Sequence, residues 1–522
     1  MRRWRLHLFA AATVLILAGL WYWYSLQPKR VYRKHTNTVS KEFEYLIRRI
    51  NLDSAGNKWL RTKEAEQDLD ELEWLLENRY SYLKLKGVDY KAALDSIRAS
   101  ISDGITRSDF GYQLSKFIAL FGDGHSRVAS STVQLKSFCS GFPPFLVEEL
   151  GSRLVAFKPD RSGYLDPNFP YLRAIYGLPV DSWLQVAGQF VARGSPQYFR
   201  YHTIRNLRYI ESLRKELKLE NTGPVEVELE SVNGTSTRQI ELSLLEKCPI
   251  YGFWPRPEKQ ISSFQDAKVE NRILQPNIGY IRFVLMSAES EFLDELIDTM
   301  GRFTQTDGLV IDIRTNGGGS RAPLRVLFPF FMAQSDLPRV VNVAAYRLGT
   351  KNIKEDFEAR YLYPASSPHW SKAEQDAVSR FAGTFQPEWI PPQGQFSQWH
   401  YFVISPTNDK RYYHYNKPVV ILMDRWNFSA CDIFLGAFKG FENVTLMGQP
   451  SGGGSGCYQE YRLWNSKIRV HLSSMASFQP NGKLYDGNGI QPDIVVEPVP
   501  TDFIGQTDTV LETAIRYINQ KK

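Results

Sequence analysis

The stretch GLVIDIRTNGGG, residues 308–319, decides the fold class of this chain. Its first half is an almost continuous apolar run, which is typical of a strand covered on both faces of a sheet. Its second half is a polar turn ending in three glycines, whose backbone N–H groups can face a ligand. Apolar runs at 418–423 and 444–447 repeat the strand pattern. Right-handed crossovers between such strands build an α/β layer, so we predict an α/β core.

Several smaller units are predicted around this core, because 522 residues are too many for a single hydrophobic core. Residues 61–140 show the apolar spacing of helices and include the segment GDGHS, residues 122–126. Residues 141–250 turn to short strands, as in a small β-rich module. The α/β core then occupies 251–522, with an aromatic and proline-rich insertion at about 345–417.

The N-terminus predicts a membrane anchor. Residues 8–26 form a 19-residue apolar segment ending near a cluster of Trp and Tyr, which favour the membrane interface. Three arginines within residues 1–7 indicate a cytoplasmic N-terminus and a body on the exported, periplasmic or extracellular side. No small-residue cleavage site follows, which favours an uncleaved anchor over a removed signal peptide. Residues 27–60 read as a basic linker, either contacting anionic lipid or simply solvated.

Composition excludes several classes of protein and cofactor. The chain is 43% hydrophobic with a net charge of +7, as expected for a globular protein. No nucleic-acid-binding motif accompanies the charge, so we predict no nucleic-acid partner. The four cysteines lack metal-ligand spacing, and we expect neither metal nor cofactor. Buried thiols are favoured over a disulfide, and the sequence does not say which pair a disulfide would join.

The segment NFSACD, residues 427–432, is the first candidate for chemistry. It lies between a buried strand and a helical pattern, which puts Ser429 near a helix N-terminus, where free N–H groups favour developing negative charge. The alternative is that Ser429 is an N-cap, the commonest role of a serine there. The glycine run at 317–319 could form half of an oxyanion hole or could be a flexible turn.

Four motifs in order resemble the tail-processing (C-terminal processing) and tricorn-core serine peptidase family: GDGHS, DIRTNGGG, NFSACD and DGNGIQPDIVV. The resemblance runs from about residue 65 to the C-terminus. It implies a PDZ-like module around YGLPV, residues 176–180, and an α/β core with ClpP/crotonase-like layers. It also implies metal-free endoproteolysis of unstructured or C-terminal segments, with peptides or unfolded proteins as partners.

The resemblance assigns roles to individual residues. Ser429 matches the nucleophile, and the N–H groups of Ala430 and Gly318 match the oxyanion hole. Gly454 occupies the position where the tail-processing branch has its catalytic lysine. The resemblance is therefore closer to the tricorn-like branch, which implies His125 as the base and Asp486 as its supporting carboxylate, although that branch has glutamate there.

A serine hydroxyl becomes nucleophilic when a neutral imidazole takes its proton and a carboxylate supports the imidazolium, so a Ser-His-Asp set is chemically consistent. Asp123 in GDGHS is interpreted as a turn former rather than a catalyst. One competing hypothesis is a catalytically silent member of the fold that binds peptides or other ligands. An esterase of the α/β-hydrolase type is disfavoured because no GxSxG motif surrounds Ser429.

Overall fold

The computed structural model describes residues 58–129, 139–220, 223–252, 267–350 and 353–521. Within these ranges no helix is long and apolar enough to cross a bilayer. The predicted membrane span at 8–26 lies outside the described residues.

Helices dominate the first described unit, as the apolar spacing predicted. Its elements are β1 (Trp59–Leu60), α1 (Thr62–Arg79), α2 (Leu83–Lys86), α3 (Tyr90–Ser100), β2 (Ile105–Thr106), α4 (Arg107–Ala119) and β3 (Arg127–Val128). Leu69, Leu72 and Leu76 of α1 are buried, which confirms the predicted apolar stripe. The Thr106 hydroxyl accepts a hydrogen bond from the Asp109 N–H and so caps α4.

A β-rich module with three helices follows. Its elements are β4 (Leu146–Leu150), β5 (Arg153–Phe157), β6 (Tyr171–Ile175), β7 (Leu178–Pro179), α5 (Val180–Ala187), α6 (Pro196–Asn206), α7 (Ile210–Glu216), β8 (Val225–Glu230) and β9 (Thr237–Leu242). The strands form one antiparallel sheet in the order β4-β5-β6-β8-β9, with β7 paired to β6. Trp183 of α5 is fully buried, and its Nε1 donates to the Ile175 carbonyl at the end of β6 at 3.1 Å.

A six-stranded sheet forms the core, in the order β10-β11-β12-β16-β17-β21. These strands are β10 (Glu270–Leu274), β11 (Ile278–Arg282), β12 (Gly308–Asp312), β16 (Val419–Met423), β17 (Val444–Gly448) and β21 (Ile494–Val495). Only the pairing of β10 with β11 is antiparallel. The apolar runs that predicted parallel strands are thus confirmed.

Helices cover both faces of this sheet, and alternate residues of β12 show why its sequence is apolar throughout. Ile311 packs with helices α8 (Ser290–Arg302), α9 (Ala322–Leu327) and α12 (Ala430–Phe438). Val310 packs on the opposite face with the C-terminal helix α13 (Thr509–Gln520). Burying each such side chain contributes about 1.5–3 kcal/mol. The predicted α/β core is confirmed.

The stretch predicted as an insertion contributes to a second sheet, of order β14-β15-β13-β20. The strands of this sheet are β13 (Arg339–Tyr346), β14 (Tyr363–Pro364), β15 (His400–Ile404) and β20 (Met475–Phe478). The same part of the chain also contains helices α10 (Ile353–Glu358) and α11 (Lys372–Thr384) and strands β18 (Tyr458–Arg462) and β19 (Arg469–Ser473). The central strand β13 pairs with both β15 and β20. Because β13 is almost entirely buried, this sheet packs on the core rather than extending from it.

One small pairing brings the helical unit to the core. Strand β3 lies antiparallel to β19, with Val128 opposite Val470 and Arg127 opposite His471. The Ser81 N–H also donates to the Ser473 carbonyl at 2.9 Å. Since β3 directly follows GDGHS, this pairing places the GDGHS segment next to the α/β core.

Candidate active site

Ser429 sits at the strand-to-helix junction between β16 and α12. Its backbone angles are φ 61° and ψ −117°, a conformation that side chains other than glycine adopt rarely. Its N–H donates to the Gly454 carbonyl at 2.8 Å. Ser429 is the N-cap residue of α12 by position, but its side chain makes no capping hydrogen bond to the helix. The half-buried side chain instead faces another segment.

That segment is the turn containing His125. The Nε2 atom of His125 lies 3.2 Å from Oγ of Ser429. Asp123 shapes the turn, because one carboxylate oxygen accepts the His125 N–H at 3.0 Å and the other accepts the Ser126 hydroxyl at 2.6 Å. The Ser126 Oγ also accepts the N–H of Ser473 in β19 at 3.0 Å. Asp123 is therefore a turn former, as predicted, and Ser126 attaches the turn to the core.

The imidazole of His125 is buried against an aromatic ring. It stacks on Phe428, with ring centroids 4.6 Å apart. Burial lowers the pKa of His125 to about 4, although the nearby carboxylate of Asp123 opposes this shift. At neutral pH the imidazole is uncharged and can accept a proton. Among the described residues, its Nδ1 atom has no hydrogen-bond partner.

Asp486 lies in the turn after β20, and it contacts a residue that the sequence did not point to. Its Oδ1 accepts from the Lys86 ammonium at 2.5 Å, and its Oδ2 is buried without a partner among the described residues. Burial raises the pKa of Asp486 to about 7, against the lowering effect of Lys86. The predicted supporting carboxylate is thus hydrogen-bonded to Lys86 and not to the imidazole of His125.

Gly318 packs directly against the nucleophile segment. With φ at 104°, it places its Cα so close that a Cβ would lie 2.5 Å from the Phe428 carbonyl oxygen and 2.9 Å from the Ser429 Cβ. Only glycine fits there. Its N–H donates to Asn316 Oδ1 at 2.9 Å. The N–H of Ala430 is the first of α12 and belongs to the helix-end donors that have no intrahelical acceptor.

Two polar residues that sequence reasoning missed hold these parts together. The carboxylate of Asp432 accepts from the Ser451 hydroxyl at 2.5 Å and from the Gly454 N–H at 3.0 Å. Burial raises the pKa of Asp432 to about 7. The Asn427 side-chain amide donates to the carbonyl of Ile313, the residue that follows β12, at 2.5 Å. Asn427 and Asp432 are the first and last residues of NFSACD, so their position beside Ser429 was the sequence signal that could have identified them.

The site has the parts for acyl transfer: a hydroxyl, a neutral base beside it and a helix N-terminus. Over the described ranges, no group of three or more His, Cys, Asp or Glu side chains is arranged to hold a metal ion. The chemistry that this geometry can perform is attack by a serine hydroxyl whose proton passes to histidine.

Parts of this chain are similar to known peptidases. Residues 277–496 match the model of peptidase family S41. A carboxy-terminal-processing protease from Bartonella bacilliformis is 32% identical over 101 residues, covering 19% of this chain and 23% of that protein. A tricorn protease homolog from Saccharolobus solfataricus is 35% identical over 85 residues, covering 16% of this chain and 8% of that protein. Each match spans less than a quarter of the curated relative.

Among solved structures, mature CPAF is similar over almost its whole length. The superposition has a TM-score of 0.62 and covers 88% of this chain and 98% of CPAF, at 16% identity. At that identity the likeness concerns the fold alone. Together the matches confirm the resemblance to the tail-processing and tricorn-core serine peptidases.

Proposed function

We propose that this chain is a serine endopeptidase in which Ser429 is the nucleophile and His125 the general base. The observation that carries the proposal is the 3.2 Å approach of His125 Nε2 to Ser429 Oγ. The two residues come from segments far apart in sequence, and the serine side chain makes no competing capping hydrogen bond. A serine hydroxyl facing a neutral imidazole is an arrangement that supports acyl transfer, and backbone strain at the serine is common at active sites.

In the proposed reaction, Ser429 Oγ attacks the scissile carbonyl carbon and its proton passes to His125 Nε2. The tetrahedral oxyanion forms beside the N-terminus of α12, where the Ala430 N–H donates to it and the helix dipole favours negative charge. Gly318 supplies the second donor when its N–H exchanges Asn316 Oδ1 for the oxyanion. The imidazolium then protonates the leaving amine, and water hydrolyses the acyl-enzyme by the same route.

Asp486 enters this proposal as an indirect support. Its carboxylate is held by Lys86, which also contacts the GDGHS segment. The proposed role is therefore to keep the His125 turn in place, with Asp123 as the carboxylate that acts on the imidazole through charge.

The substrates proposed are extended or C-terminal segments of peptides and unfolded proteins. The carboxy-terminal-processing protease and the tricorn protease homolog among the relatives support this substrate class. The module at 141–250 would serve as a PDZ-like unit that engages the substrate chain. Residues 8–26 would anchor the protein, with the catalytic body on the exported side of the membrane.

A fluorophosphonate probe tests the central assignment. We expect one labelled serine in the wild type, Ser429, and loss of both labelling and peptide hydrolysis in Ser429→Ala. Labelling that is absent from a correctly folded wild type would instead support a catalytically silent, peptide-binding protein. N-terminal sequencing of membrane-bound protein tests the anchor, since a start beyond residue 26 would contradict it.

A further inference from the structure

A single lysine connects the two segments on which the proposed base depends. Lys86 ends the short helix α2, and its ammonium donates to the Gly122 carbonyl at 2.9 Å and to Asp486 Oδ1 at 2.5 Å. Gly122 is the first residue of GDGHS, and Asp486 opens the turn DGNG. The lysine thus spans two loops that are more than 360 residues apart in sequence.

This contact is buried rather than a surface ion pair. The Lys86 side chain is 16% exposed and that of Asp486 is 1% exposed. Exposed pairs contribute little to stability, whereas removing one member of a buried pair leaves an uncompensated charge and costs several times more. A buried Lys86 therefore holds Gly122 and Asp486 together more firmly than a mobile surface lysine would.

The charges around the lysine explain why a cation is needed there. Asp123 and Asp486 are both buried, and they interact with each other electrostatically. Throughout the described ranges, Lys86 is the only basic side chain that forms an ion pair with either carboxyl group. The buried hydroxyls of Tyr80 and Tyr82 lie near the same two carboxyls but carry no positive charge. Lys86 therefore supplies the positive charge that offsets these two buried carboxyls behind the His125 turn.

We propose that Lys86 is a positioning residue of the peptidase site, which fixes the Gly122–Ser126 turn so that His125 Nε2 faces Ser429. The inference rests on the proposed serine peptidase function. Lys86 touches neither Ser429 nor the imidazole, so its effect passes through the Gly122 carbonyl and Asp486. A displacement of about 1 Å at the base is enough to lower turnover about a hundredfold.

The experiment compares three variants of the full chain. Lys86→Met keeps the length of the side chain but removes the charge, Lys86→Arg keeps charge and donors, and Lys84→Met is the matched control on the exposed side of α2. We expect Lys86→Met to lower kcat by about tenfold or more, with KM changed less than about twofold, because substrate contacts are unaffected. Lys86→Arg should recover most of the loss, and Lys84→Met should equal wild type.

Hydrogen exchange gives a second readout that needs no catalysis. The His125 amide, which donates to Asp123, should exchange faster in Lys86→Met and not in Lys84→Met, while the core strands keep their protection. Unchanged exchange in this turn would overturn the inference, whatever the activity. If wild type hydrolyses peptides through Ser429 but Lys86→Met retains its kcat, the positioning role is wrong and the peptidase function stands. If wild type shows no Ser429-dependent hydrolysis, the peptidase function fails, and the exchange result alone decides whether Lys86 orders the turn.

Discussion

The ring of Phe428 occupies the space that a side chain at position 454 would need. A Cβ built on Gly454 would lie 2.5 Å from the Cε2 and Cζ atoms of that ring. The same ring stacks on the imidazole of His125. A lysine at 454 and the ring of Phe428 therefore compete for one space, which gives a physical reason why this chain has glycine where the tail-processing branch has its lysine.

Gly454→Ala should consequently displace the proposed base, His125, although the added methyl group does not contact it. The added methyl group must displace Phe428, and Phe428 must then shift against His125. We expect kcat/KM for peptide hydrolysis to fall about 10- to 100-fold, as is usual when a catalytic group moves by about 1 Å. Gly383→Ala is the control, since a Cβ there meets nothing within 4 Å. Equal activity of both variants would show that the ring moves freely.

The base itself is tested by His125→Ala. We expect kcat to fall by about 10²- to 10⁴-fold, the usual contribution of a general base. Introducing Gly454→Lys into this variant should restore nothing, because the lysine would have to displace Phe428. Retention of more than about a tenth of wild-type kcat/KM, a loss of under about 1.4 kcal/mol of transition-state stabilisation, would exclude His125 as the base.

The protonation state of His125 provides an independent check. Burial lowers its pKa to about 4, so the imidazole should titrate well below the ordinary value of about 6.5. NMR of histidine-labelled protein measures this, with His125→Ala assigning the resonance. A midpoint near 6.5 would mean that the ring is solvated and that the burial of His125 against Phe428 is wrong.

Local pattern was enough to predict the parts of the fold that one segment determines. The strand at 308–312 is apolar throughout because both of its faces are covered, so its sequence alone gave the α/β class. Ser429 was found because a serine between a buried strand and a helix is visible in the chain. The Gly317–Gly319 turn was recognisable for the same reason, as glycine alone permits the close approach seen at Gly318.

Features that join distant segments could not be read from the sequence. The bond from Lys86 to Asp486 spans 400 residues, and nothing near Lys86 distinguishes it from Lys84. The pairing of β3 with β19 involves two residues of β3, too few for any periodicity. Asp486 itself was located by its motif, but its partner depends on the tertiary packing, so the hydrogen bond to Lys86 was not predicted.

Asp486→Asn should change how stability depends on pH. Burial raises the folded-state pKa of Asp486 to about 7, above its ordinary value of 3.8. Between these values the folded protein binds more protons than the unfolded chain, so the contribution of Asp486 to stability is present below pH 4 and is lost as pH rises through 7. The asparagine variant lacks this contribution. Urea unfolding should therefore show the stability of the variant rising relative to wild type between about pH 4 and pH 7. A difference that stays constant over this range would contradict the prediction.

The strained backbone of Ser429 predicts that stability is sacrificed at this position for activity. Its φ of 61° with ψ of −117° is a conformation that glycine adopts freely, and holding another residue there costs about 1–3 kcal/mol. Ser429→Ala keeps this strain, whereas Ser429→Gly relieves it. The gain in stability from relieving the strain is reduced by about 1 kcal/mol, because glycine has greater freedom in the unfolded chain. Both variants should be inactive, because neither carries a hydroxyl. Urea unfolding should nevertheless find the glycine variant more stable than the alanine variant, by up to about 2 kcal/mol. An alanine variant about 1 kcal/mol more stable than the glycine variant would mean that position 429 is unstrained, because only the greater freedom of glycine in the unfolded chain would then separate the two.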